Sequence, residues 1–127
     1  MIMTDRENMI RNYIDGYNNF EIDKMVIDFD EAIVFENVQN GETNMLLTGL
    51  TSFRKQAEQA IMYFSKRTQT IISFTHLENQ TEIGLDYHAI LKIDLPNGLK
   101  SGDELNLKGR TTFKFSENKI VYLKDES

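Results

Sequence analysis

The spacing of apolar residues changes character about halfway along this chain. In the first half they recur at helical spacing, as Ile10, Tyr13, Ile14 and Tyr17 do. After Lys66 they alternate with polar residues, which is typical of long half-buried strands. Such strands need a cover over their apolar face, and the helices can supply it. The order predicts an α+β fold in which three N-terminal helices wrap a cone-shaped, mixed or antiparallel sheet of roughly six strands around a hollow.

The first helix is predicted from about Asp5 to Asn18, because Thr4 and Glu7 have the spacing of a capping box. Gly16 within it costs about 1 kcal/mol relative to alanine, so packing must compensate or a neighbouring segment must approach closely. Two further helices follow from apolar spacing: Ile22, Met25, Val26 and Phe29 in a short one, and Leu50, Phe53, Ala57, Ala60, Ile61 and Phe64 in one introduced by Gly49.

The strands are predicted from alternation and from the turn residues between them. Strands are expected at 32–38 and 45–47, joined by a turn at 39–42, and then at 68–77, 81–95, 103–116 and 119–124. In the strand at 81–95, Ile83, Leu85 and Tyr87 share one face, while Asp86 and His88 share the other.

Composition excludes several classes of function. The 127 residues indicate a single domain, and the net charge of -6 disfavours nucleic acid and anionic membranes as partners. No signal peptide or membrane-length apolar run is visible, and there is no cysteine, so we expect a cytoplasmic protein without disulfides. Glycine-rich phosphate loops and the common hydrolase and metalloprotease motifs are absent, and no cofactor is expected.

The two histidines do not predict a metal site. His76 and His88 each fall on a predicted strand, and the carboxylate nearest to His88 in sequence is Asp86, which shares its face. A metal ion would need further ligands from elsewhere in the chain. We interpret Asp86 and His88 as a surface or interface pair that faces away from the hollow, and we expect no metal.

The candidate site residues are a carboxylate and a phenol. Glu36 shares the strand phase of Ala32, Val34 and Val38, so a buried carboxylate there would be either paired or functional, for example as a general base. A solvent-facing Glu36 at the strand edge is the alternative. Tyr13 is expected to point its hydroxyl into the hollow as a hydrogen-bond donor, or else to pack in the core. Further ligand contacts are expected from Tyr17, Thr111, Phe113 and Phe53.

The whole arrangement resembles the nuclear transport factor two-like superfamily, with its SnoaL-like cyclases and ketosteroid isomerases. The resemblance lies in the stretch from Tyr13 to Asp23, in 32–36 and 49–54, and in the closing pair at 111–115 and 118–120. In the isomerase branch a tyrosine of the first helix donates to the substrate oxygen, a carboxylate of the first strand moves the proton, and a neutral acid on a later strand assists. The resemblance implies these roles for Tyr13 and Glu36, the latter after a one-residue shortening before Ala32. Thr111 falls where the assisting acid should be, which disfavours steroid-type isomerisation.

Two hypotheses of function remain open from the sequence. The first is a SnoaL-like pocket protein for a small, largely apolar molecule, with isomerase, cyclase or dehydratase chemistry carried by Glu36 and Tyr13. The second is a non-catalytic ligand-binding or protein-interaction module on the same fold. A homodimer is expected in either case, because Ile90 and either Ile71 or Ile72 are left on the outer face of the strands.

Overall fold

The computed structural model describes residues 2–127 as one open sheet with three α-helices packed against it. The predicted α+β class, the six strands and the three helices are confirmed. In chain order the elements are α1 (Met3–Asn18), α2 (Ile22–Val26), β1 (Phe29–Gln39), β2 (Glu42–Thr48), α3 (Leu50–Ala60), a 3₁₀ turn (Ile61–Tyr63), β3 (Phe64–His76), β4 (Gln80–Leu91), β5 (Glu104–Ser116) and β6 (Lys119–Glu126).

The sheet is mixed, with strand order β2-β1-β6-β5-β4-β3. Only β1 and β6 run parallel, and the other neighbours are antiparallel. The chain therefore returns at its end to the centre of the sheet, where β6 lies between β1 and β5. This register places Asn37 of β1 and Thr111 of β5 opposite Asp125 of β6, one on either side.

Several predicted boundaries were wrong. The first helix starts at Met3 with Ile2 at its N-cap and no side-chain cap, so Thr4 does not begin a capping box. The second helix ends at Val26, and Phe29 already belongs to β1. The last strand continues to Glu126, beyond the predicted end at Lys124, and this extension brings Asp125 into the sheet.

Gly16 lies where α2 crosses α1. A Cβ at this position would come within 2.8 Å of the Met25 amide nitrogen and 3.0 Å of the Glu21 carbonyl oxygen. The Glu21 amide also donates to the Gly16 carbonyl at 2.8 Å. The close approach expected from a glycine inside a helix is confirmed, and it sets the angle at which the chain leaves α1.

An aromatic cluster forms the core between the helices and the sheet. The ring of Tyr13 stacks on Phe29 at 5.7 Å and meets the edge of Phe113 at the same centroid distance. Phe53 of α3 contacts Phe29 at 5.0 Å and Phe35 at 5.5 Å. These contacts hold α1 and α3 against β1 and leave a cavity beside the cluster.

Candidate functional site

A cavity of about 340 Å³ lies between α1, α3 and the central strands. Its walls are mostly apolar, and they carry one carboxylate, one guanidinium and several phenols and amides. The side chains in these walls include Tyr13 and Tyr17 from α1, Phe35 and Asn37 from β1, Phe53 from α3, Arg67 from β3 and Asp125 from β6. A smaller cavity of about 150 Å³ adjoins it and shares Tyr17, Asn37 and Asp125.

Asp125 is the carboxylate of this cavity. Its side chain keeps some exposure through the cavity, but the surrounding protein removes most of its water. This desolvation raises the pKa of Asp125 to about 6, against an opposing hydrogen bond from the Thr111 hydroxyl to Oδ1 at 2.8 Å. A carboxyl group with this pKa exchanges its proton near neutral pH, as a general acid or base must.

Tyr13 contributes a phenol that is almost fully buried, at 4% exposure. Burial raises its pKa well above the usual range, and the charge of Asp125 raises it further, while Arg67 lowers it. The hydroxyl therefore stays protonated at all physiological pH values. It can donate a hydrogen bond to a ligand oxygen but cannot act as a base.

Tyr17 and Tyr87 form a pair of phenols at the boundary of the two cavities. Their hydroxyls lie 3.0 Å apart, and burial raises the pKa of both. Arg67 packs beneath Tyr17 with its guanidinium carbon 3.7 Å from the ring centroid. The predicted contact residue Tyr17 thus lies in the cavity wall, and its hydroxyl already has a partner.

The expected meeting of Glu36 and Tyr13 is wrong, because Glu36 points to the opposite face of the sheet. Side chains alternate along β1, and it is Asn37 that faces the cavity. Glu36 instead accepts hydrogen bonds from the Thr43 hydroxyl and, at 2.6 Å, from the Tyr122 hydroxyl. These two bonds lower the pKa of Glu36, while burial and the bond to Glu36 raise that of Tyr122 to about 12. Glu36 is half-buried on that face, in the middle of β1 with a strand on either side, so it is neither a base inside the cavity nor a solvent-facing residue at the strand edge.

The other predicted contact residues fall in three different places. Phe53 lines the larger cavity. Thr111 lines the smaller one and reaches the ligand space only through its bond to Asp125. Phe113 has no exposed surface and packs behind Tyr13, so it supports the site without lining it.

The histidines lie away from the cavity. His76 contacts Glu7 Oε2 at 2.8 Å and the Thr81 hydroxyl at 2.9 Å. His88 Nε2 lies 3.9 Å from Glu104, and Asp86 pairs with Lys108 at 2.7 Å rather than with His88. Within residues 2–127, no three His, Asp or Glu side chains are grouped so that they could hold a metal ion.

Sequence reasoning missed Asp125 and Arg67. Asp125 lies one residue beyond the predicted end of the last strand, and continuing the alternation from Leu123 puts both residues on one face. Arg67 lies one residue before the strand predicted at 68–77, and it was not among the candidate site residues. The spacing of residues does not indicate that β3 places Arg67 against Tyr17 of α1.

The fold is shared with proteins of known structure. A candidate polyketide cyclase from Xanthomonas campestris is 13% identical, with a TM-score of 0.82, and the match covers 98% of this chain and 90% of that one. A candidate SnoaL-like polyketide cyclase from a Jannaschia species is 9% identical, with a TM-score of 0.82 and coverage of 96% and 84%. An NTF2-like protein of unknown function from Burkholderia pseudomallei is 10% identical, with a TM-score of 0.76 and coverage of 97% and 90%.

The chain therefore has the nuclear transport factor two-like fold, and the resemblance inferred from the sequence is confirmed at the level of fold. Identities of this size carry no information about substrate or reaction. The sequence matches no protein-family model and no curated protein. In the part of the chain described here, no helix is long and apolar enough to cross a membrane.

Proposed function

We propose that this protein binds a small, largely apolar carbonyl compound in the cavity and moves a proton on it. The observation that carries the proposal is Asp125, a desolvated carboxyl group with a pKa of about 6 in a mostly apolar wall. The cyclase-like and SnoaL-like structural neighbours support small-molecule chemistry on this fold. Removal of a proton next to a carbonyl is the first step that isomerase, cyclase and dehydratase reactions on such a compound can share.

Asp125 would act as the base and Tyr13 as the donor. At neutral pH the carboxylate accepts a proton from a carbon next to the ligand carbonyl, and the electron pair moves onto the carbonyl oxygen. A hydrogen bond from Tyr13 stabilises that oxygen as its negative charge develops. Protonated Asp125 then returns the proton to another atom of the same ligand, so the protein is unchanged at the end.

Deuterium exchange on a small aromatic ketone tests this chemistry without knowledge of the natural ligand. The probe is α-tetralone in D₂O, and proton NMR follows the loss of hydrogen beside the carbonyl. The protein is expected to accelerate exchange over buffer. Asp125→Asn should reduce the acceleration by about 100-fold or more, because a general base contributes roughly that much.

Glu36→Gln is the matched control. It makes the same chemical change on the other face of the sheet, where the side chain has no access to the cavity. This variant should keep the full acceleration. Equal acceleration by the wild-type protein and Asp125→Asn would overturn the role of Asp125 as the base. No exchange above buffer with bound ketone would leave the non-catalytic binding module as the better description.

A cytoplasmic homodimer remains part of the proposal. The sequence suggested both features, and neither follows from the fold.

A further inference from the structure

Arg67 is the most deeply buried charged residue of the cavity wall, at 2% exposure. Its Nε donates to the Tyr17 carbonyl oxygen at 2.8 Å, and the guanidinium lies over the rings of Tyr17 and Phe20 at 3.7 and 4.7 Å. Its Nη2 is buried and has no hydrogen-bond partner among residues 2–127. The backbone bond and the two rings hold the guanidinium in place, while the N–H groups of Nη2 donate to nothing in the described chain.

Arg6 shows what a structural arginine looks like in the same protein. It is also buried, at 5% exposure, and its terminal nitrogens donate to three carbonyl oxygens of the turn between β3 and β4, at Leu77, Glu78 and Gln80. Those bonds explain its burial. Arg67 has one backbone bond and no comparable set of acceptors.

The charge of Arg67 also lacks a counter-ion. Arg11, Arg54 and Arg110 each pair with a carboxylate within 4.0 Å, whereas Arg67 has none at that distance in the described chain. Within residues 2–127 Arg6 also has no carboxylate at that distance and its Nε lacks a partner, but its terminal nitrogens donate to three carbonyl oxygens. Asp125 lines the same cavity as Arg67 but is not within ion-pair distance of it. A buried cation with neither an anion nor such a set of acceptors is costly, so a ligand anion that pairs with Arg67 would relieve that cost.

We propose that Arg67 binds the carboxylate of a small aromatic acid, which places an acidic compound as the ligand of this cavity. The guanidinium fork matches the two oxygens of a carboxylate. Arg67 is the one cation among the described residues that line the cavity. Its charge balances the single negative charge of a carboxylate, but it would not balance the larger negative charge of a phosphate. The inference rests on the proposed function only in that the ligand occupies the same cavity.

A matched pair of probes tests this inference on the whole protein. β-Naphthoate and β-naphthamide have nearly the same shape and differ in charge, and calorimetry at pH 7 measures the affinity of each. The wild-type protein should bind the acid at least about 10-fold more tightly than the amide, the strength of a charge-assisted contact. Arg67→Met, which keeps the apolar stem, should abolish that preference, while Arg11→Gln should keep it, because Arg11 is exposed and does not line the cavity.

The possible results separate this inference from the proposed function. Equal affinity for the two probes in the wild-type protein, or a preference for the acid that survives Arg67→Met, would overturn the role of Arg67 and leave the cavity and Asp125 intact. Binding of neither probe would overturn both. The comparison of probes in the wild-type protein stands even if Arg67→Met fails to fold, which circular dichroism would reveal.

Discussion

Asp125 and Glu36 lie on neighbouring strands but on opposite faces of the sheet, and their surroundings move their pKa values in opposite directions. Desolvation in the cavity raises the pKa of Asp125. Hydrogen bonds from Thr43 and Tyr122 lower that of Glu36. The same functional group therefore keeps its proton to a higher pH in one position than in the other.

The first prediction concerns the cost of ionising Asp125. Its pKa is 3.8 when unfolded and about 6 in the fold, so the folded state holds the proton more tightly. The free energy of unfolding therefore falls as pH rises from about 4 to about 6, because ionised Asp125 is less favourable in the fold than in the unfolded chain. At higher pH the ionised group destabilises the protein by about 1–3 kcal/mol. Asp125→Asn should remove this loss and make the protein more stable than wild type at pH 8, as measured by urea denaturation.

Glu36→Gln provides the control with the opposite sign. Because the folded pKa of Glu36 is lowered, its stabilising contribution is present at neutral pH and lost as pH falls through that value. This variant should be slightly less stable than wild type at pH 8. An Asp125→Asn variant that is less stable than wild type at pH 8 would contradict the account of a desolvated carboxyl group.

The contact between α1 and α2 depends on Gly16. Gly16→Ala would raise helix propensity by about 1 kcal/mol, but its Cβ would come within 2.8 Å of the Met25 backbone nitrogen. Backbone atoms cannot move away easily, so the variant is expected to lose about 1–3 kcal/mol. Chemical denaturation measures the loss, and a stabilised variant would show that α2 is not held at this crossing.

The order of helices and strands could be predicted from sequence because α1 and the long strands each have one clear apolar face. The phase of β1 could not, since Ile33 and Val34 are both apolar and adjacent, and either face could have been buried. The structure buries Ile33 at 1% exposure and turns Phe35 and Asn37 to the cavity. Register shifts on both sides of this segment, at 29–34 and 37–38, add to the ambiguity.

The site was harder to predict than the fold because it depends on which strands become neighbours. Asp125 gains its environment from Thr111 and Asn37, which are far from it in sequence and opposite it in the sheet. Tyr13, by contrast, belongs to the regular stripe of α1, so its place on the inner face of that helix could be predicted from spacing, and the family resemblance singled it out as the donor. Residues within one element could be assigned locally, and those that meet across strands could not.

A homodimer through the outer face of the sheet stays a prediction. Ile72 of β3 is 57% exposed there. Light scattering at micromolar concentration should give the mass of two chains, and Ile72→Lys should shift the protein toward one chain. Ile27→Lys, at an equally exposed position outside the sheet, should not. A wild-type mass of one chain would contradict the dimer.

The proposed chemistry requires a carboxyl group in the cavity that titrates near neutral pH. Carbon-13 NMR of the side-chain carboxyl of Asp125, followed from pH 3 to pH 9 and assigned with Asp125→Asn, records this titration. We expect an apparent pKa of about 6. A value at or below the 3.8 of an unperturbed aspartate would contradict it, because the carboxylate would then be hydrated and unsuited to the proposed proton transfer.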